Sequence, residues 1–427
     1  MNPKTLPVRV GAASAPIHAD DSMVIAGGIL PAQATGQEGA LRASAVVIAQ
    51  QEKKICLVSC DVLMLQRDLL DDACARIENE TAIPAENIMI SATHTHHAPV
   101  ATTLHGYRRD PLFCSYVTHA IVASVVQANN NLQEVDCHFG LGQETTVGQN
   151  SRLILDDGTI LWVPTEPRFA SLTPTGPFDP DLPVLAFKNG SRTQALLFNH
   201  STHNIGARDK NKRSPGFYGL AAQKLEQQLD ATVMFLPGAS GSTHDFFSNT
   251  NDNIKKIETA VTNALQNARK VNLNRLESIK KEFEYTVRPF NEQEEEKAVS
   301  YYCHKRRVDW CHNPEDIIRV FRQMRQQLKT QQGQVRKSWI HLCLIGDIAM
   351  VGVPGELFGQ LASEIKRRSP FPHTCIVELA NDYIGYIPDP DAYRLGGYQV
   401  WMGLHSFLQP STGQTLVDEV IHMMNSI

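Results

Sequence analysis

Much that would classify this chain quickly is missing from its 427 residues. No stretch approaches the roughly 18–20 consecutive apolar residues that span a bilayer, so no stable membrane insertion is expected. The opening MNPKTLPVRVGAASAP has no apolar centre, so no secretory signal is expected either. The formal net charge is −5 and no basic field is present, which argues against nucleic acid as a partner. There is no GxxxxGK[ST] phosphate loop and no dinucleotide-binding glycine fingerprint. GASGS at Gly238–Ser242 is not the GxSxG elbow of a serine hydrolase. The nine cysteines are odd in number and irregular in spacing, and several lie inside apolar runs (ICLVSC, HLCLIG, HTCIVEL). There a thiol acts as a small hydrophobe, which points to a reducing, cytoplasmic setting. Cys303-His304 and Cys311-His312 lack the CxxC or HxxxH spacing of a zinc site.

What is present is a core. At 42% hydrophobic residues the chain can bury a large interior, and its length allows several domains or one large unit. LRASAVVIAQ and ICLVSCDVLML read as strands, Arg67–Thr81 as an amphipathic helix, and Ile88–Ser91 as the next strand. That β–α–β alternation predicts an α/β fold of mixed sheets with flanking helices. A second helix is expected at Phe113–Asn129. Further strands are expected at Asp136–Thr146, Thr159–Pro164, PVLAFKN, QALLFNHSTH, Val233–Gly241, Glu277–Arg288 and Thr374–Ala380, with a hairpin at Ser338–Val353 turning at Gly346-Asp347. Pro164–Leu182, with five prolines, reads as a long loop or lid. We read residues 1–427 as one catalytic domain carrying a charged, helical and solvated insertion at about 291–332. No internal repeat or low-complexity linker is visible.

The chemistry gathers at strand ends. In IMISATHTHHAP, side-chain alternation sends His94 and His96 to one face, half of a metal site. His200 and His203 follow the QALLFN strand; three apart on a strand they face opposite ways, so only one should join the same metal. Glu356, after a buried strand and the Pro354-Gly355 turn, is the third candidate. Two imidazoles and a carboxylate form a catalytic zinc set with an open position, suited to hydrolysis of an amide or ester. The Gly238–Ser242 turn reads as a backbone-donor loop for an oxyanion. Asp61 either supports the site or caps the following helix, and Arg152 either binds an anionic or polar substrate group or sits in solvent. Tyr383, Tyr386, Tyr393 and Tyr398 lie in a dense polar loop, where packing alone accounts for them equally well.

Four segments in order then resemble the neutral/alkaline, non-lysosomal ceramidase family: SATHTHHAP, FNHSTHNIG, VGVPGELF and NDYIGYIPDPDAYRLGGYQ. The resemblance runs in patches from about Arg9 to Gln399. It implies one zinc ion per chain, held by His94, His200, Glu356 and Tyr386. It further implies that His96 assists at the substrate, that Tyr398 is the second functional tyrosine, and that Arg152 lies near a substrate-binding arginine. The family's serine loop is here GSTHDF, Gly241–Phe246, so its serine position falls on His244 or Thr243. The chain also ends soon after the tyrosine loop, without room for the family's immunoglobulin-like C-terminal domain. These departures fall where substrate should sit. The reading is therefore zinc-dependent cleavage of an N-acyl amide smaller or more polar than ceramide. The alternatives are a metallo-esterase or lactonase, another metallohydrolase, or an inactive metal-binding protein.

Overall fold

One order of elements occurs three times. Each time, three strands paired antiparallel lead through a helix to a fourth strand parallel to the third, and a second helix follows. The computed structural model describes residues 7–162, 172–245, 249–305 and 313–427. The first unit is β1 (Val8–Pro16), β2 (Arg42–Gln50), β3 (Lys53–Cys60), α1 (Arg67–Thr81) and β4 (Ile88–Ala92), followed by α2 (Pro111–Asn130). The second is β5 (Gln133–Gln143), β6 (Asp181–Asn189), β7 (Arg192–His200), α3 (Gly216–Leu229) and β8 (Thr232–Pro237), followed by α4 (Thr250–Gln266). A short strand, β9 (Arg269–Val271), returns to β5. The third unit opens with β10 (Leu276–Thr286) and is interrupted by α5 (Glu292–Lys305) and α6 (Pro314–Leu328). It resumes with β11 (Val335–Ile345), β12 (Ile348–Gly352), α7 (Gly359–Arg368) and β13 (His373–Val377). The short α8 (Pro390–Leu395) and then α9 (Thr412–Asn425) follow. The recurrence is one of topology and is not visible as a sequence repeat.

The first two units share one sheet, joined where Val8–Val10 pairs with Gln133–Val135, in the order β8-β7-β6-β5-β1-β2-β3-β4. The third unit forms a separate sheet, β10-β11-β12-β13, packed against the first. Ile48, Leu57, Leu197 and Met234 meet Cys343, Ile345, Met350 and Val377 between the sheets. On the outer faces, α1 and α2 cover one half of the large sheet, α3 and α4 the other, and α7 and α9 cover the small sheet. Strands covered on both faces read as unbroken apolar runs rather than alternating ones, which is why ASAVVIA in β2 is buried throughout.

Two expectations change here. By length and composition α2 is apolar enough to cross a membrane, contrary to the sequence reading. Its Val117, Ile121 and Val125 are buried in the core shared with β2 and β3, so its hydrophobicity has a structural use. The charged insertion is not solvated all round: Ile317, Phe321 and Met324 are buried, and the fully buried Arg325 pairs with Glu292 at 2.8 Å and with Glu296. Cys311, His312, Val308, Phe246 and the first part of Pro164–Leu182 lie outside the described residues.

The parallel pairs β3/β4, β7/β8 and β12/β13 end toward one another. The Glu378 N–H donates to the Pro237 carbonyl (3.0 Å), and the Asn381 N–H to that of Ile90 (2.8 Å). The loops leaving these C-terminal ends therefore share one crevice, the usual ligand position in sheets of this kind.

Candidate metal centre

Immediately after β4 the chain turns sharply, and His94 takes φ 60°, a left-handed conformation that is strained for a residue with a side chain. The turn aims its ring inward, where Nδ1–H donates to the Leu63 carbonyl at 2.8 Å. His96 donates Nδ1–H to the Gly27 carbonyl (3.0 Å), and His203 donates Nδ1–H to that of Ser240 (2.7 Å). With every Nδ1 proton engaged by a carbonyl, each ring in its neutral form presents the Nε2 lone pair. Those nitrogens face one another: the ligand atoms of His94, His96 and His203 lie within 4.8 Å.

Glu356 completes the group from the other sheet. Its Oε2 lies 3.4 Å from His94 Nε2 and 3.2 Å from His203 Nε2 and accepts no hydrogen bond. Its Oε1 accepts the Tyr383 hydroxyl at 2.9 Å. Tyr386 brings its phenol oxygen to 3.4 Å from His203 Nε2. Lone pairs of three imidazoles and one carboxylate, buried together, repel unless a cation lies among them. Burial works to raise Glu356, yet His94 and His203 hold it well below the usual carboxylate range. Burial works to lower His94, yet Glu356 raises it. Burial pushes His203 down and His96 well down. Nitrogen and oxygen donors with carbonyl-bonded imidazoles behind them fit a zinc ion.

His200 is not in this group, contrary to the sequence expectation. Along β7, Leu196 and Phe198 face the core under α3 and α4, while Ala195 and Leu197 face the other sheet. As the last residue of the strand, His200 shares the side of Phe198. Its Nδ1 accepts the Tyr218 hydroxyl (2.6 Å) and its Nε2–H donates to the Glu144 carbonyl (3.1 Å). His203, beyond the strand, turns back into the crevice.

Arg152 is neither a substrate clamp nor a solvated side chain. It is fully buried, donating to Gln399 Oε1 (2.8 Å) and to the carbonyls of Gly396 (2.6 Å) and Ala392 (3.3 Å), so it fastens the loop that carries Tyr398 from behind. Burial pulls its pKa down to about 10. Arg152→Met should leave these carbonyls without donors and cost about 2–4 kcal/mol of stability, with zinc content unchanged. Denaturant unfolding beside elemental analysis checks this; an undiminished midpoint would contradict it.

The remaining candidates line the same crevice. His244 stacks on His203 with ring centroids 4.3 Å apart, and burial pushes it well below the ordinary histidine range. Tyr398 stacks on Trp162 at 4.0 Å and donates its hydroxyl to His105 Nε2 at 3.1 Å. Phe321 of α6 packs edge-on against Tyr398 and Trp401, so the charged insertion roofs the tyrosine loop. The Gly238–Ser242 turn is not an open donor loop: the N–H groups of Gly238, Ser240 and Gly241 are bonded to His200, Glu378 and Leu357. Asp61 accepts the Thr93 hydroxyl (3.2 Å) and the Arg42 N–H (3.1 Å). It therefore braces the residue before His94 and does not cap α1, whose Arg67 N–H donates to Asp382 (3.1 Å). Sequence reasoning missed the bond from Tyr383 to Glu356 and passed over His105 and Glu378. Glu378 carried a readable signal, a lone acid in the apolar run TCIVELA.

A two-sheet fold with its histidine- and carboxylate-bearing loops gathered at the parallel strand ends defines an architecture already known from solved structures. The crystal structure of neutral ceramidase from Pseudomonas aeruginosa matches 99% of this chain and 75% of its own, with a TM-score of 0.75 at 18% identity. A ceramidase complexed with C2 matches 99% of this chain and 76% of its own, with a TM-score of 0.74 at 17% identity. The chain thus has the neutral ceramidase fold. No protein-family model and no curated protein matches the sequence.

Proposed function

We propose that this protein is a zinc-dependent hydrolase that cleaves an N-acyl amide, with one zinc ion held by His94, His203, Glu356 and Tyr386. The observation that carries this reading is the set of mutually facing donor atoms of His94, His203 and Glu356. The neutral ceramidase fold supports amide hydrolysis as the reaction. A zinc ion held there would supply a water of lowered pKa and polarisation of the amide carbonyl. His96, with Nε2 bare, takes the proton of the attacking water and delivers it to the leaving amine. Tyr398 donates to the developing oxyanion. His244, against His203, borders the substrate. The substrate is read as smaller or more polar than ceramide. This is supported by the replacement of the family's serine loop. A cytoplasmic setting is part of the same proposal, supported by the free thiols of Cys56, Cys60, Cys74, Cys137, Cys343 and Cys375.

The test is elemental analysis of the purified protein combined with an N-acyl-amide hydrolysis panel that includes long-chain ceramide in detergent. One zinc per chain is expected, with turnover of short, soluble amides lost to a chelator and restored by zinc. Absence of any transition metal after zinc loading overturns the metal centre. Metal without turnover on any amide leaves a binding protein. Preference for long-chain ceramide overturns the substrate reading alone.

A further inference from the structure

We propose that Glu378 is a positioning residue that holds His203 and Glu356 in register with each other. The inference rests on the metal centre proposed above. Glu378 follows the last residue of β13 and is fully buried. Its Oε2 accepts two backbone N–H groups, from Ser240 at 3.0 Å and Leu357 at 3.1 Å, and its Oε1 is bonded to the Ser240 hydroxyl. Its own N–H donates to the Pro237 carbonyl at the end of β8 (3.0 Å).

Each partner adjoins a ligand. The Ser240 carbonyl accepts His203 Nδ1–H at 2.7 Å, which sets the plane of that ring and leaves Nε2 bare. Leu357 directly follows Glu356. The two segments leave different sheets, and one backbone bond joins them, from Gly241 N–H to the Leu357 carbonyl (3.0 Å). Glu378 ties both from the opposite side, so a shift of either segment against the other would break bonds to the carboxyl. Second-layer contacts of this kind tune metal affinity without touching the metal.

The role needs reach and hydrogen-bonding capacity rather than charge. A glutamine at this position offers one oxygen to the two N–H groups and an amide to the Ser240 hydroxyl. An aspartate keeps the charge but is one methylene short.

The experiment measures zinc affinity of the metal-stripped full chain by competition with a chromogenic chelator. Wild type, Glu378→Gln, Glu378→Asp and Glu378→Ala are compared, with thermal midpoints recorded alongside. Glu378→Gln should bind zinc within about threefold of wild type, while Glu378→Asp and Glu378→Ala should bind about 10–100-fold more weakly. If Glu378→Ala does not fold, the order of the other two decides. Aspartate matching wild type while glutamine fails would overturn the hydrogen-bonding role in favour of charge. Lowered midpoints with unchanged zinc affinity in every variant would overturn the proposal and leave the metal centre standing. A wild-type protein that binds no zinc would overturn the metal centre and this inference with it.

Discussion

His203→Ala is expected to lose zinc and reduce turnover to background, while His200→Ala keeps both the metal and the activity at the temperature of a stable protein. The two rings hold opposite tautomers. His203 gives Nδ1–H to Ser240 and leaves Nε2 facing Glu356 Oε2 at 3.2 Å. His200 is engaged at both nitrogens, by the Tyr218 hydroxyl and the Glu144 carbonyl, and has no lone pair left for a metal. Removing His203 deletes a donor from a set in which Glu356 depends on its neighbours to stay ionised. Removing His200 strands a buried hydroxyl and a carbonyl, a cost of about 1–3 kcal/mol in stability. His96→Ala belongs in the same series: it should retain zinc and lose most turnover, because its proposed task is moving the proton. Zinc content, turnover and unfolding midpoint of the three variants separate the assignments. Loss of zinc from His200→Ala together with its retention in His203→Ala would reverse the second ligand.

That reversal at His200 and His203 marks where a sequence stops being legible. The alternation rule reaches only His200, the last residue of β7, because His203 lies beyond the strand. Which of them entered the crevice depended on which face of β7 looks toward α3, a fact of sheet packing that no local pattern contains. The strands and helices themselves were readable because each is a continuous apolar or amphipathic segment. The structure brings His94, Glu356 and Tyr386 together; the strand-end pattern singled out His94 and Glu356, and Tyr386 entered through the family resemblance. The threefold βββαβα order was invisible because what recurs is pairing and crossover, while the side chains at equivalent points differ. Arg152 and the α5–α6 insertion misled for a common reason. A charged residue in a polar segment reads as solvated, yet Arg152 and Arg325 are fully buried because loop carbonyls and carboxylates surround their guanidinium groups. The Gly238–Ser242 turn has the composition of a donor loop, but its N–H groups have protein partners across a sheet boundary.

Tyr398→Phe is expected to keep zinc and lower kcat by about 10²–10³, the loss typical of one oxyanion donor. Tyr386→Phe is expected to weaken zinc retention as well as turnover. The two phenols have different neighbours. That of Tyr386 lies 3.4 Å from His203 Nε2, inside the donor set, and burial, then Glu356, keeps it well above the ordinary tyrosine range. A cation in the donor set reverses that balance and favours the phenolate. Tyr398 instead gives its hydrogen to His105 Nε2 at 3.1 Å, because His105 Nδ1–H is already turned to the Gly28 carbonyl at 3.3 Å. An imidazole lone pair is a weaker acceptor than a developing oxyanion, since a charged acceptor roughly doubles the strength of a hydrogen bond. The Tyr398 hydrogen can therefore stay on His105 in the resting protein and transfer its bond to the substrate as negative charge appears. Phenylalanine preserves the stack on Trp162 at both stages, so folding should be little affected and the deficit should lie in kcat rather than KM. Zinc content and kcat for Tyr386→Phe and Tyr398→Phe, measured side by side, decide the matter. Wild-type kinetics in both would reduce the tyrosines to loop packing and leave a histidine–carboxylate centre shared with other metallohydrolases.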